Sequence, residues 1–312
     1  KNMRSERPKS KRGASRNAPK KRNSSDNQDS YAKKSSYKGK DDGKAAEFGN
    51  KKFTYKKKPK KLSDKPVDDT IRLNRFLANA GICSRREADK LIETGVVSIN
   101  NKVVTELGTK VNPTDVVHYG GMLLQSQKKQ YVLLNKPKNY ITTMDDPEER
   151  QTVMELVSKA CKERVYPVGR LDRATSGLLL FTNDGDMTKR LTHPSGKVKK
   201  IYHVTVDKNV TQKDLIALVD GVQLEDGPAG ADKAFYLADT SKATISIELH
   251  SGRNRIIRRM MEHLGYKVTK LDRVQFAGLT KKDIPRGRFR HLSEKEIGLL
   301  HRICGLIPQD TE

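Results

Sequence analysis

The residues best suited to chemistry lie in one short turn, residues 168–177. Arg170 and Asp172 stand two residues apart in it, between Gly169 and Gly177. Glycine permits backbone conformations that other residues avoid. A continuous run of apolar residues follows directly and predicts a strand that is buried on both faces. The turn fits two interpretations: a surface turn with a local salt bridge, or a site in which a carboxylate at the lip of an apolar core requires a partner.

Two later segments carry groups that such a site would need. The segment Lys200-Ile201-Tyr202 lies in an alternating strand, and residues 251–261 are expected to open a helix. The expected apolar stripe of that helix consists of Ile256, Ile257, Met260, Met261 and Leu264. The arginines that flank the stripe are Arg253, Arg255, Arg258 and Arg259. Taken singly, the tyrosine is more typical of a core residue, and Arg253, Arg255 and Arg259 are more typical of phosphate or solvent contacts.

The charge of the chain predicts a polyanionic partner. Its 312 residues include 63 Lys and Arg against 38 Asp and Glu, a formal net charge of +25. Residues 1–66 hold 23 Lys and Arg against seven Asp and Glu, a net charge of +16, and almost no aliphatic residues. We therefore expect a disordered basic tail over residues 1–68, which attracts RNA or, in the alternative, only solubilises the chain.

The cysteines and the hydropathy pattern suggest a cytoplasmic protein. Cys83, Cys161 and Cys304 are far apart and form no CxxC pair, so neither a zinc site nor a disulfide framework is indicated. No apolar run approaches the roughly 20 residues that a membrane helix needs. The basic N-terminal segment is not followed by an apolar stretch, as a secretory signal would be.

Two short helices and a small sheet are predicted over residues 69–126. The segments RLNRFLA at 72–78, GICSRREA at 81–88 and GVVSIN at 95–100 resemble the S4 RNA-binding domain. Basic residues fall on the expected exposed helix faces: Arg72, Arg75, Arg85, Arg86 and Lys90. The resemblance implies that they bind RNA phosphates, which positions an RNA without reading its sequence. A merely solvated helix face is the alternative.

The three chemical segments, in this order behind an S4-like domain, resemble the RsuA/RluB family of ribosomal RNA pseudouridine synthases, most closely its RluB-like branch. The resemblance implies that Asp172 is the catalytic aspartate, which attacks the ribose C1′ or otherwise promotes cleavage of the N-glycosidic bond. It implies that Arg258 pairs with Asp172 and that Tyr202 packs against the base. A nearby guanidinium keeps a carboxylate ionised, as a nucleophile or base requires. Arg170 and Arg173 are expected to support the substrate.

The resemblance also implies the architecture and the partners. We expect an α+β protein with an S4 domain at 69–126, a pseudouridine synthase domain at 130–303 built on a mixed, mostly antiparallel sheet flanked by helices, and a C-terminal tail at 304–312. The expected reaction needs no cofactor and no metal. We expect a monomer. Its expected partner is 23S rRNA or a large-subunit precursor. The alternatives are a non-catalytic ribosome-assembly factor on the same fold, or a synthase that acts on 16S rRNA or tRNA.

Overall fold

The computed structural model describes residues 69–306. The predicted tail at 1–68 lies outside the described residues, as do residues 307–312 of the predicted C-terminal tail. In the described part of the chain, no helix is both long and apolar enough to cross a membrane. The three cysteines are free thiols.

The first part of the described chain is a helical pair against small sheets. Its elements are β1 (Ile71–Arg72), α1 (Leu73–Asn79), α2 (Arg85–Glu93), β2 (Val97–Ile99), β3 (Lys102–Val103), β4 (Lys110–Val111), β5 (Val117–Tyr119) and β6 (Met122–Leu123). The strand order is β3-β2-β5-β6, and β1 pairs with β4. The helices and sheets enclose a core that includes Leu73, Leu77 and Ile92.

Local sequence signals explain this part of the fold. Ser84 caps α2 through a capping box, in which its hydroxyl accepts from the Glu87 N–H and the Glu87 carboxylate accepts from the Ser84 N–H. Asn100 and Asn101 connect β2 to β3 with φ angles of +48° and +66°. Asparagine tolerates this left-handed region, which a two-residue hairpin turn requires. The sequence Ser84-Arg85-Arg86-Glu87 predicts this capping box, and Asn100-Asn101 between two apolar segments predicts this tight turn; the structure confirms both.

The second part is built on one mixed sheet. Its strands are β7 (Tyr131–Lys136), β8 (Tyr166–Pro167), β9 (Ser176–Thr182), β10 (Lys200–Val206), β11 (Val222–Leu224), β12 (Gly227–Ala229), β13 (Lys233–Tyr236), β14 (Thr244–Leu249), β15 (Val268–Phe276), β16 (Leu279–Thr280) and β17 (Phe289–His291). The helices are α3 (Val153–Val157), α4 (Gly185–Thr192), α5 (Gln212–Asp220), α6 (Ile256–His263) and α7 (Glu294–Cys304), with a 3-10 turn at Pro194–Gly196.

The main sheet has the order β13-β14-β10-β15-β9-β7-β17, with β16 beside β15 and β8 beside β9; the β11–β12 hairpin stands apart. All neighbours in the main sheet are antiparallel except β9 and β15. The mixed, mostly antiparallel sheet that the sequence predicted is therefore confirmed.

Strand β9 lies at the centre of this sheet and is buried along its whole length. Leu179 and Phe181 face a core that α3, α5 and α6 complete. Leu178 and Leu180 face a second core, completed by α4 and α7. A strand covered on both faces needs apolar residues at successive positions, which accounts for the run that follows the chemical turn.

Candidate active site

The strand that follows the turn 168–177 fixes its position. β9 pairs in parallel with β15, with Gly177 opposite Arg273. Gly177 has a φ of +108°, and a Cβ atom there would lie only 2.2 Å from the Arg273 carbonyl oxygen. A residue with a side chain would therefore push the two strands apart. This close approach anchors the end of the turn that carries Asp172.

A buried lysine, Lys136, bonds to the backbone of the turn that carries Asp172. The Nζ of Lys136 donates to the carbonyl oxygens of Pro137 (3.1 Å), Asp172 (3.2 Å) and Thr175 (2.9 Å). Lys136 is fully buried. Burial lowers the pKa of Lys136 to about 8, although the negative charge of Asp172 acts in the opposite direction. Because two of its three bonds reach Asp172 and Thr175, at the two ends of residues 172–175, Lys136 orients the backbone that presents the Asp172 carboxylate.

Asp172 faces Arg258, the residue that the family resemblance implied as its partner. The Nε of Arg258 lies 3.9 Å from the Asp172 Oδ2, and the two side chains are 9% and 36% exposed. The Arg258 guanidinium also donates to the carbonyls of Val268 (3.3 Å) and Ala174 (3.4 Å). Its Nε has no hydrogen-bond partner among the described residues. Burial lowers the pKa of Arg258, with a further contribution from Arg255 and an opposing one from Asp172. An arginine nevertheless remains charged near neutral pH.

Tyr202 lies on the interior strand β10, opposite Ile247 on one side and Arg273 on the other. It is 9% exposed and packs in the same core as Leu171, the residue before Asp172. The pairing of β10 with β15 shifts register between Ile201 and Tyr202. Such an irregularity changes the direction in which a side chain points.

These side chains surround one cavity of about 600 Å³. Asp172, Tyr202, Arg170 and Arg173 all line it, whereas Arg258 contacts Asp172 without being among the lining residues. The other basic residues of the lining are Arg150, Lys200, Arg253, Arg255 and Arg273, and its only other carboxylate among the described residues is Asp146. A concave surface so rich in cations favours an anionic ligand.

Comparisons with known proteins match this arrangement. The sequence profile of the family described as RNA pseudouridylate synthase matches residues 130–263, and the S4 domain profile matches residues 71–117. An uncharacterized RNA pseudouridine synthase of Aquifex aeolicus (strain VF5) is 40% identical over 239 residues, which are 76% of this chain and 96% of that protein. The chain belongs to the RNA pseudouridine synthases.

Other relatives agree. The ribosomal large subunit pseudouridine synthase B of Bacillus subtilis (strain 168) is 39% identical over 75% of this chain and 96% of its own length. The dual-specificity RNA pseudouridine synthase RluF of Escherichia coli (strain K12) is 36% identical over 74% of this chain and 78% of its own length. A crystal structure of a pseudouridylate synthase superposes with a TM-score of 0.54 at 29% identity, over 74% of this chain and 99% of that one. The prediction of a pseudouridine synthase with an S4 domain is confirmed.

The structure of this pseudouridine synthase adds cations that the sequence analysis did not assign. Lys200 donates to the carbonyls of Val198 (3.1 Å) and His250 (2.8 Å). Burial and the neighbouring Arg273 guanidinium lower the pKa of Lys200 to about 8. Arg273 is 3% exposed, donates to the Leu178 carbonyl at 2.8 Å and stacks on a phenylalanine ring. Lys200 is the first residue of β10, and Arg273 lies among polar residues of β15, so the local sequence carried no signal for the role of either residue.

The arginine helix of the synthase begins later than expected. α6 starts at Ile256 rather than at residue 251, because Arg255 adopts a left-handed conformation with φ +45°. Arg253 and Arg259, expected as phosphate or solvent contacts, both bind the carboxylate of Asp226 in the β11–β12 turn. Arg253 also donates to the carbonyl of Pro228 at 2.7 Å. Arg255 retains the expected position beside the cavity.

The five basic residues assigned to RNA lie in the S4 domain of the synthase. Four of them are exposed: Arg72, Arg85, Arg86 and Lys90. Arg75 is half-buried and forms an ion pair with Asp186 at the start of α4. Arg72, Arg75 and Arg85 line a second cavity, whereas Arg86 and Lys90 do not. The structure therefore brings three of the five residues together and engages one of them with the catalytic part of the protein.

Proposed function

We propose that the protein isomerises specific uridines to pseudouridine in ribosomal RNA, and that Asp172 is the catalytic residue. The observation that carries the proposal is a carboxylate that opens into a cation-lined cavity while it faces Arg258 at 3.9 Å. The carboxylate is the form in which an aspartate acts as a nucleophile or base.

The proposed reaction rearranges bonds within one nucleotide. Asp172 promotes cleavage of the bond between ribose C1′ and uracil N1. The detached uracil rotates in the cavity, and C5 then bonds to C1′. The proton on C5 is lost and N1 gains one, so the product has the same composition as the substrate. The reaction therefore requires neither an oxidant nor a second substrate, and we propose that it uses no cofactor.

The cavity offers support for each part of the nucleotide. Tyr202, on the interior strand β10, presents an aromatic ring on which the base can pack. Arg170 and Arg173 flank Asp172 and are exposed, so their guanidinium groups can reach phosphates on either side of the nucleotide. The base has to leave its stack to enter the cavity, and these contacts compensate for the lost stacking.

Large-subunit RNA is the substrate that the relatives favour. The Bacillus subtilis protein, 39% identical, is named a large-subunit synthase. RluF, at 36% identity, is named dual-specificity, which keeps 16S rRNA and tRNA as alternatives for this chain. We assign residues 69–126 to RNA binding, residues 130–303 to catalysis, and residues 1–68 to nonspecific attraction of RNA. We also propose that the protein is monomeric and acts in the cytoplasm.

A pseudouridine map tests the proposed substrate. All cellular RNA from a strain that lacks the gene is compared with RNA from the same strain carrying the wild-type gene. We expect one or a few uridines of 23S rRNA to lose modification in the deletion strain and to regain it on complementation. A missing modification that lies only in 16S rRNA or tRNA would contradict the large-subunit assignment. Unchanged maps would contradict the proposed function.

A further inference from the structure

A second cavity, of about 690 Å³, lies between the S4 domain and the catalytic part of the protein. We call it the interdomain groove. Six basic side chains line it: Arg72, Arg75, Arg85 and Lys110 from the S4 domain, and Arg164 and Lys189 from the catalytic part. Asp186 is the only carboxylate among the described residues of its lining. The groove is therefore strongly positive on both walls, including the wall that lies outside the S4 domain.

Most of this charge has no salt bridge to a described residue, although Glu87 lies close enough to Arg164 to interact with it electrostatically. Asp186 forms an ion pair with Arg75, and this pair joins the two walls of the groove. No salt bridge or side-chain hydrogen bond joins Arg72, Arg85, Arg164 or Lys189 to another residue in 69–306. Like charges that face one another across a concavity repel, so the groove favours an anion that lies between them.

Three segments of chain run from the interdomain groove to the active-site cavity, although no described residue lines both. Thr142 and Thr143 line the active-site cavity, and the next residue, Met144, lines the groove. α4 begins in the groove at Gly185 and ends at the active-site cavity with Thr192. Eight helical residues span about 12 Å at 1.5 Å per residue.

The third segment makes the same connection. Tyr166 on β8 lines the groove, and Val168 to Arg170 line the active-site cavity. The two concavities therefore lie at the two ends of α4, about 12 Å apart judged from its rise. An RNA strand would span this distance in a few nucleotides.

We propose that the interdomain groove binds the phosphodiester backbone of the single-stranded RNA that adjoins the target uridine, with Arg164 and Lys189 as its contacts on the catalytic side. This inference rests on the proposed function, because the target nucleotide in the active-site cavity sets the starting point of the strand. Backbone phosphates carry one negative charge each and match a row of separate cations. The contacts position the RNA between the domains and do not read its bases.

The test is a salt titration of RNA binding by the full chain. The probe is a fluorescein-labelled, single-stranded 12-nucleotide oligo(U), measured by fluorescence anisotropy from low to moderate salt. The variant is Arg164→Ala with Lys189→Ala. The control is Lys213→Ala with Lys233→Ala, which removes the same charge from two exposed residues outside both cavities. A third protein, Arg164→Lys with Lys189→Arg, preserves the charge.

We expect the groove variant to bind the oligomer about tenfold more weakly at low salt and to reduce the slope of log K against log salt by about 1.4, since two contacts to a single strand contribute about 0.7 each. The control and the charge-preserving protein should keep the slope of the wild type. If the groove variant and the control lose affinity and slope equally, the inference is overturned. If the groove variant binds like the wild type, it is overturned as well.

Pseudouridine formation by the same proteins separates this inference from the proposed function. A wild-type protein that forms no pseudouridine in ribosomal RNA, but whose binding depends on Arg164 and Lys189, contradicts the proposed function and upholds the groove. A wild-type protein that modifies RNA, with a groove variant that binds and modifies equally well, upholds the function and overturns the groove.

Discussion

Gly177 allows the link between the fold and the active site to be measured. Replacement by alanine adds one methyl group where the nearest atoms are the carbonyl oxygen and the nitrogen of Arg273, at 2.2 and 2.5 Å. Both are backbone atoms, so the paired strands β9 and β15 have to move. Overpacking of this kind costs about 1–3 kcal/mol. A side chain in the left-handed region costs about 1–2 kcal/mol more. We therefore expect Gly177→Ala to lower the free energy of unfolding by about 2–5 kcal/mol.

Gly227 provides a matched control. Its φ of +102° is close to that of Gly177, but an added Cβ would meet nothing within 4 Å. Gly227→Ala should therefore lose only the conformational contribution of about 1–2 kcal/mol. Urea unfolding followed by circular dichroism measures both variants, and pseudouridine formation under folding conditions should fall in Gly177→Ala alone. Equal destabilisation of the two variants would refute the role of the close approach to Arg273.

Three further perturbations follow from the site. Arg258→Met should lower activity about 100-fold, since Asp172 loses its charged partner; Arg258→Lys should restore only part of this, because an ammonium lacks the fork of donors, and full activity of Arg258→Met in a single-turnover assay would contradict the pairing. Lys136 has a folded pKa of about 8 against an ordinary 10.5, so the unfolded chain binds its proton more tightly and the free energy of unfolding should rise with pH between these values. This group contributes up to about 3 kcal/mol to the rise, and urea unfolding across this range should show a smaller rise in Lys136→Met; an unchanged rise would contradict the prediction. Removal of residues 1–68 should weaken RNA binding and flatten its salt dependence while the modified uridine stays the same; filter binding and a pseudouridine map check this, and a shifted site would contradict it.

Sequence alone predicted those features that depend on local pattern. The capping box at Ser84, the turn at Asn100 and the doubly buried strand β9 all follow from residues within a few positions of one another. The resemblance to known synthases then predicted that Asp172, Tyr202 and Arg258 come together. The structure places the first two in the lining of one cavity and Arg258 beside Asp172.

The remaining features depend on contacts between distant parts of the chain. The sequence predicts only that Lys136 is near the end of a strand. The fold shows that its Nζ donates to the carbonyl of Thr175, 39 residues away. The hydrogen-bonded pair Arg253 and Asp226 joins residues 27 positions apart. The periodicity of the sequence does not predict such a contact. The left-handed Arg255, which delays the start of α6, follows from no local signal, since arginine has no preference for that conformation.

The most direct test of the proposed catalysis is Asp172→Asn, assayed on ribosomal RNA transcripts. The substitution keeps the size of the side chain but removes the ionisable carboxylate. We predict that the variant forms no pseudouridine while its RNA affinity stays close to that of the wild type. Asp145→Asn, an exposed carboxylate on the nearby loop, should remain active. Pseudouridine formation by the Asp172→Asn protein would contradict the assignment of Asp172 as the catalytic residue.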